Sequence, residues 1–170
     1  QLIHLLFFPK ILFMITVLSP AKTLDYSVNY TDKHTVPSFL PKSSQLVKTL
    51  KAKEPSEIAS LMGLSDKLAS LNFDRYQSWN ASKKLSSTAK PALLVFKGDV
   101  YQGLQAEDFN KQDMTFAQKH LRILSGLYGA LKPLDVMKPY RLEMGTKLQM
   151  NGSKNLYEFW GDTVRDSVLS

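Results

Sequence analysis

The chain has 170 residues, of which 44% are apolar, 11% aromatic and 22% charged; this sets aside disorder, collagen-like repeats and coiled coil, and suits one domain with a real core. Twenty-two Lys and Arg against fifteen Asp and Glu give a formal charge of +7, which favours an acidic partner, a phosphate backbone or an anionic small molecule, yet stays within ordinary solubility charge. The sequence has no cysteine, so disulfide scaffolds, thiolate zinc sites, iron–sulfur clusters and thiolate catalysis are excluded for it.

Residues Leu2 to Leu18 are nearly all apolar. His4, Pro9 and Lys10 interrupt the run, no basic residue precedes it, and Ser19-Pro20-Ala21 puts proline where a signal cleavage site would stand. The pattern favours a start at Met14, with residues 1–13 as an upstream extension outside the fold and one domain from 14 to 170. Ile15 to Leu18 then reads as a short buried strand, followed by the polar turn Ser19-Pro20-Ala21-Lys22-Thr23. Asp25 to Pro41 has no period and reads as an ordered loop.

A helix follows with Leu46, Val47 and Leu50 on one face and Lys48, Lys51 and Lys53 on the other. Pro55, Glu57 and Gly63 frame a short helix over Ser56 to Met62, and Ser65 caps a third with Leu68 and Leu71 inward. Ala81 to Lys90 is a Ser- and Lys-rich surface loop. Pro91 to Phe96 reads as a second buried strand, closed by Lys97-Gly98-Asp99. Asp113 can cap a helix carrying Met114, Phe116, Ala117 and Leu121. Leu121 to Ser125 fits either the end of that helix or a third strand. Pro133 and Pro139 punctuate a loop leading to Tyr140 to Leu148, whose alternation suggests a strand. The pattern from Leu156 through Val168 is an amphipathic helix without a stop signal before Ser170, so the domain is expected to be incomplete at its C-terminus. Interleaved strands and helices indicate a single mixed α/β (α+β) domain.

Four stretches carry candidate chemistry. Ser19 to Thr23 puts Lys22 at a strand's C-terminal end, where ligands sit in open α/β sheets; the alternative is a turn with a solvated lysine. Phe96 to Gly103 sets Lys97, Asp99 and Tyr101 beside two glycines, Gly98 and Gly103, offering a cation, a base and a ring, or simply a Gly-Asp turn and a core tyrosine. Leu124 to Pro133 holds Gly126 and Gly129 in a small-residue turn that would expose amide donors to phosphate, with Lys132 beside it. Its glycines are three apart rather than the usual two, and close strand packing explains them equally well. In Pro139 to Lys147, Arg141, Glu143 and Gly145 share one face and Lys147 continues it, either as a surface ion pair or as an anion site with two cations around one Glu. Residues 132–154 hold five cations and two acids. Metal binding is not expected, because His4, His34 and His120 are widely spaced and no His pair stands at i,i+4; no Gly-x-Ser-x-Gly elbow occurs.

Ile15 to Leu24, Phe96 to Leu104, the run from His120 through Leu148 with Leu-Ser-Gly-Leu-Tyr-Gly and Pro-Tyr-Arg-Leu-Glu-Met-Gly-Thr-Lys-Leu, and Asn155 to Gly161 together resemble the YaaA family of bacterial peroxide-stress proteins. The resemblance covers Met14 to the end in order. It implies a cytoplasmic protein that limits peroxide damage by lowering available iron. It also implies an unusual mixed α/β fold with a positively charged cleft and a helix-hairpin-helix-like element, features of DNA-binding proteins. Sequence-independent binding of double-stranded DNA is the leading expectation, with Lys22, Lys97, Lys132, Arg141 and Lys147 on phosphates and the Gly126–Gly129 turn donating amides. The alternative is an enzyme acting on a phosphorylated or nucleotide-like substrate in the same cleft, with Asp99 or Glu143 as base. Neither reading calls for a cofactor, a metal or a membrane.

Overall fold

The computed structural model describes residues 14–169; the expected extension at residues 1–13 lies outside them. In chain order the elements are β1 (Thr16–Leu18), β2 (Thr23–Leu24), α1 (Leu40–Lys51), α2 (Pro55–Met62), α3 (Asp66–Ser78), β3 (Lys90–Pro91), α4 (Ala92–Val95), β4 (Phe96–Lys97), α5 (Asp99–Leu104), α6 (Lys111–His120), β5 (Leu121–Ser125), β6 (Gly129–Leu131), β7 (Val136–Met137), α7 (Leu156–Trp160) and α8 (Asp162–Leu169). The mixed α/β expectation holds, with helices around three small sheets. The largest sheet has the order β1-β5-β6. β1 runs parallel to β5, pairing Thr16 with Leu121, and β5 runs antiparallel to β6, pairing Ser125 with Gly129. β2 pairs β4 and β3 pairs β7, both antiparallel.

Local sequence explains most element boundaries. Pro55 stands in the first turn of α2, where its missing N–H is no loss; Glu54 and Glu57 form a reciprocal capping box. Gly63 ends that helix at φ 61°, a left-handed conformation that favours glycine. Leu64 and Ser65 complete a short turn, and α3 packs back on α2 and against α1. Leu46, Leu50, Ile58, Tyr76, Leu93 and Ile123 are fully buried or nearly so at the centre of one continuous core.

Several expectations are corrected. β1 is a strand, but an edge one: Thr16 and Val17 are exposed and its only pairing among the described residues is to β5. Pro91 to Phe96 is buried as expected, yet Ala92–Val95 is a helical turn between two short strands. Its first amides, of Ala92 and Leu93, donate to the carbonyls of Asp135 and Pro133 at 2.9 and 3.0 Å, which holds the turn against the chain after β6. Leu68 and Leu71 of α3 point outward; Ala69, Asn72 and Tyr76 face the core. Asn110, not Asp113, caps α6: its side chain accepts from the amides of Gln112 and Asp113, and Asp113 answers as the other half of a capping box. Phe116 is outside, stacked on His120 at 4.3 Å. Leu121–Ser125 resolves as a strand. Tyr140 to Leu148 alternates in burial without pairing into a sheet; its even positions bury and it turns at Glu143, whose carbonyl accepts from the Thr146 amide at 2.9 Å. No helix among the described residues is long and apolar enough to cross a membrane.

Candidate functional site

Because β1 and β5 are parallel neighbours, the chain leaves both from the same edge. The Ser19–Lys22 turn follows β1, and Ser125-Gly126 follows β5. The stretch from Tyr140 to Gly145 lies against both, enclosing a cavity of about 400 Å3. This is the place in an open sheet where strand ends leave a crevice for ligand. Lys22, Ser125, Tyr140, Arg141, Glu143 and the exposed Tyr157 line it. A second cavity, of about 270 Å3, lies on the other side of the same stretch, between Arg141, Glu143, Gly145 and Thr146 and the end of α2 at Leu61 and Met62. Arg141 and Glu143 therefore stand on a ridge between two hollows.

The ridge is fastened from below. Tyr76 of α3 donates its hydroxyl to the Arg141 carbonyl. Tyr140 and Ser125 share a hydrogen bond of 2.6 Å, and Ser125 Oγ also accepts from the Tyr128 amide at 2.9 Å. The Tyr128 hydroxyl in turn accepts from Trp79 Nε1 and from the Lys138 amide, each at 2.9 Å. Burial pushes the Tyr128 phenol up to about 12 and raises Tyr76 and Tyr140 as well, so these phenols remain neutral hydrogen-bonding anchors at physiological pH.

The charges above the ridge are two cations around one carboxylate. Lys22 Nζ lies 3.4 Å and Arg141 Nη2 3.3 Å from the same Glu143 oxygen, Oε1. The Arg141 Nε is buried and has no hydrogen-bond partner among the described residues. Arg75 of α3, half-buried and donating to Asn72 Oδ1 at 3.3 Å, lies close enough to feel Arg141; burial foremost, and that like charge among lesser causes, hold its basicity below the usual.

The structure thus brings Lys22, Gly126, Arg141 and Glu143 to one cleft and puts the other candidates elsewhere. Gly126 lines the cleft, and a Cβ there would overlap the Leu142 carbonyl, so its absence lets the ridge close onto β5. Gly129 sits at φ 75° with a Cβ position 2.9 Å from the Trp160 ring, again a packing requirement. The turn between these glycines joins strands β5 and β6 and not two helices. Lys97 turns away to pair with Glu107, and Asp99 is exposed at the start of α5. Their block buttresses the cleft instead: Gly98 packs on Ala21, with a Cβ position 3.3 Å from the Ala21 Cβ, and Tyr101 donates to the Ser19 carbonyl at 2.8 Å. Lys132 donates its amide to buried Asp135 at 2.8 Å, and Lys147 is exposed; neither lines the two cavities. Arg75, Tyr76 and the α2 end were not anticipated. Taking Leu68 and Leu71 as inward moves Tyr76 off the buried side of α3, which Ala69 and Asn72 share with it; Arg75 lies on the leucine face, where only its nearness to Arg141 marks it. Among the described residues no group of three or more His, Asp or Glu stands ready to hold a metal.

Comparison with known proteins adds a family. A family model described as peroxide stress protein YaaA matches residues 14–170. A UPF0246 protein of Hahella chejuensis is 54% identical over 156 residues, 91% of this chain and 60% of that protein. One of Saccharophagus degradans is 51% identical over 156 residues, with the same two coverages of 91% and 60%. The chain spans about three fifths of the length of these relatives. With a match running from Met14 through every block that builds the cleft, the chain belongs to the peroxide stress protein YaaA family.

Proposed function

We propose that this chain binds double-stranded DNA without regard to sequence, gripping phosphates in the Lys22–Arg141 cleft, as part of a peroxide-stress response that limits iron-dependent damage. Iron and peroxide generate hydroxyl radicals that attack whatever lies nearest, and a protein laid along the phosphates keeps iron from seating there. The observation that carries the reading is Arg141, a half-buried guanidinium between two hollows whose buried Nε has no hydrogen-bond partner among the described residues. Beside it stands the α2–α3 pair joined through Gly63, which we read as the helix-hairpin-helix-like element, a device that meets phosphates without reading bases. Lys22 and Arg141 supply the local charge, Arg75 lies near enough to Arg141 to add to it from outside the two hollows, and the +7 of the chain supplies attraction at a distance.

The test is binding of a fluorescent duplex across a salt series. Log K should fall linearly with log salt, by about 0.9 for each phosphate neutralised. Lys22→Ala should weaken binding alike for every sequence and lower that slope by about 1. A flat salt response rejects the reading.

One feature favours a second reading, an enzyme on a phosphorylated or nucleotide-like substrate. A cavity of about 400 Å3 at the ends of two parallel strands, with Glu143 between cations, suits a small anion and a general base. Asp99, outside both cavities, is not needed for it. Turnover lost in Glu143→Gln would favour this enzyme.

A further inference from the structure

Glu143 is held in an unusual way for a surface acid. One of its oxygens receives both Lys22 and Arg141, the arrangement in which an ammonium and a guanidinium hold a phosphate oxygen. The hold is weak on one side: the Lys22 and Glu143 side chains are 65% and 53% exposed, so water screens their attraction. Arg141 is different, with a side chain only 19% exposed and a buried Nε that has no hydrogen-bond partner among the described residues. The backbone does not depend on the carboxylate. Leu142 is buried at one side and the Thr146 amide bonds the Glu143 carbonyl at 2.9 Å, so the side chain can rotate out while the ridge stays in place.

We infer that Glu143 is a displaceable carboxylate filling the anion seat of the cleft, and that phosphate binding is an exchange in which the incoming phosphate takes Lys22 and Arg141 while Glu143 swings to solvent. This rests on the reading that the cleft receives phosphate. The displaced carboxylate remains nearby, tethered by its own side chain, and repels each negative charge in the seat. A phosphodiester, with one charge, is opposed less than a terminal or inorganic phosphate with two. Two cations still pull a dianion harder than a monoanion, so the carboxylate narrows the advantage of free phosphate over the nucleic-acid backbone and keeps the grip reversible.

Duplex DNA and inorganic phosphate are the probes, with the full chain and Glu143→Gln. The variant should bind duplex tighter, on the order of tenfold at low salt, and inorganic phosphate should gain more than duplex as a competitor. Glu143→Asp, too short to reach both cations at once, should fall between. Melting temperatures of wild type and variants fix whether the fold is intact. The Nε–H signal of Arg141, assigned with Arg141→Lys, should shift on phosphate titration, at lower phosphate in Glu143→Gln. Salt-dependent wild-type binding with an unchanged or weakened Glu143→Gln overturns the exchange and leaves the DNA reading standing. Flat wild-type binding rejects the DNA reading, and the Arg141 signal then decides the exchange: unmoved by phosphate, it overturns it as well.

Discussion

Gly126 and Gly145 flank the same ridge and make opposite demands. At Gly126 a methyl group would meet the Leu142 carbonyl, which is backbone and cannot rotate aside; at Gly145 nothing lies within 4 Å. Gly126→Ala should therefore lower stability by about 1–3 kcal/mol, the usual range for overpacking, and weaken duplex binding by pushing Arg141 and Glu143 out of line. Gly145→Ala should leave stability unchanged; urea denaturation of both variants, beside duplex titration of Gly126→Ala, checks the pair. The presence of a special glycine at 126 is legible from sequence, but its purpose is not, since a turn offering amides and a close backbone crossing require the same residue. Asp135 is a second residue-scale case. It is 1% exposed and accepts from Thr35 Oγ1 at 2.6 Å and the Lys132 amide at 2.8 Å, while burial raises its pKa above the usual carboxylate value. The native state then holds this proton more tightly than the unfolded chain does. Its contribution to stability is greatest below the unfolded value of 3.8 and falls as pH rises through the raised native one. Asp135→Asn should flatten that slope between those two values, whereas Asp135→Ala, which strands two part-buried donors, should lose about 1–2 kcal/mol at neutral pH. Urea midpoints across pH 3 to 8 measure both.

Elements with a long amphipathic period or a clear stop were legible. The helix around Leu46, Val47 and Leu50, and the short one ending at Gly63, stand where periodicity and capping put them. The failures share a physical cause, which is that a short apolar run reports burial and not backbone shape. Ala92 to Val95 is all apolar and all buried, and only the carbonyls of Pro133 and Asp135, some forty residues on in sequence, decide that it turns. Tyr140 to Leu148 has a strand's alternation because one side faces the core, but no neighbouring strand supplies a ladder. At the start of α6 the sequence suggests Asp113 as cap, but Asp113 is the third helical residue and Asn110 is the cap. That gives a direct test. Asn110→Ala removes two hydrogen bonds to the first-turn amides, at 2.7 and 3.0 Å, and should cost about 1 kcal/mol. Asp113→Ala, which removes only the return bond at 3.1 Å, should cost less; a larger loss for Asp113→Ala in thermal denaturation would overturn this assignment.

For the whole molecule the question is whether charge acts through one place or through a general field. No sequence pattern decides this, because Lys22 and Arg141 are more than a hundred residues apart and meet only through the parallel pairing of β1 with β5 and the burial of Gly126. Lys97, nearer to Arg141 in sequence than Lys22 is, is drawn off by Glu107 instead. Two charge reversals separate the cases. Lys22→Glu and Lys147→Glu change the net charge equally, from +7 to +5, so a diffuse field would respond to both alike. Lys22 is in the cleft and Lys147 lines neither hollow. At low ionic strength both variants should bind duplex more weakly. As salt rises and the screening length shrinks to about 10 Å at 0.1 M and below, the Lys147→Glu deficit should fade, because it acts only at a distance. The Lys22→Glu deficit should persist, since it removes a contact and adds a second acid beside Glu143. Equal deficits at every salt concentration would mean that the surface charge is doing the binding and that the cleft is incidental to it.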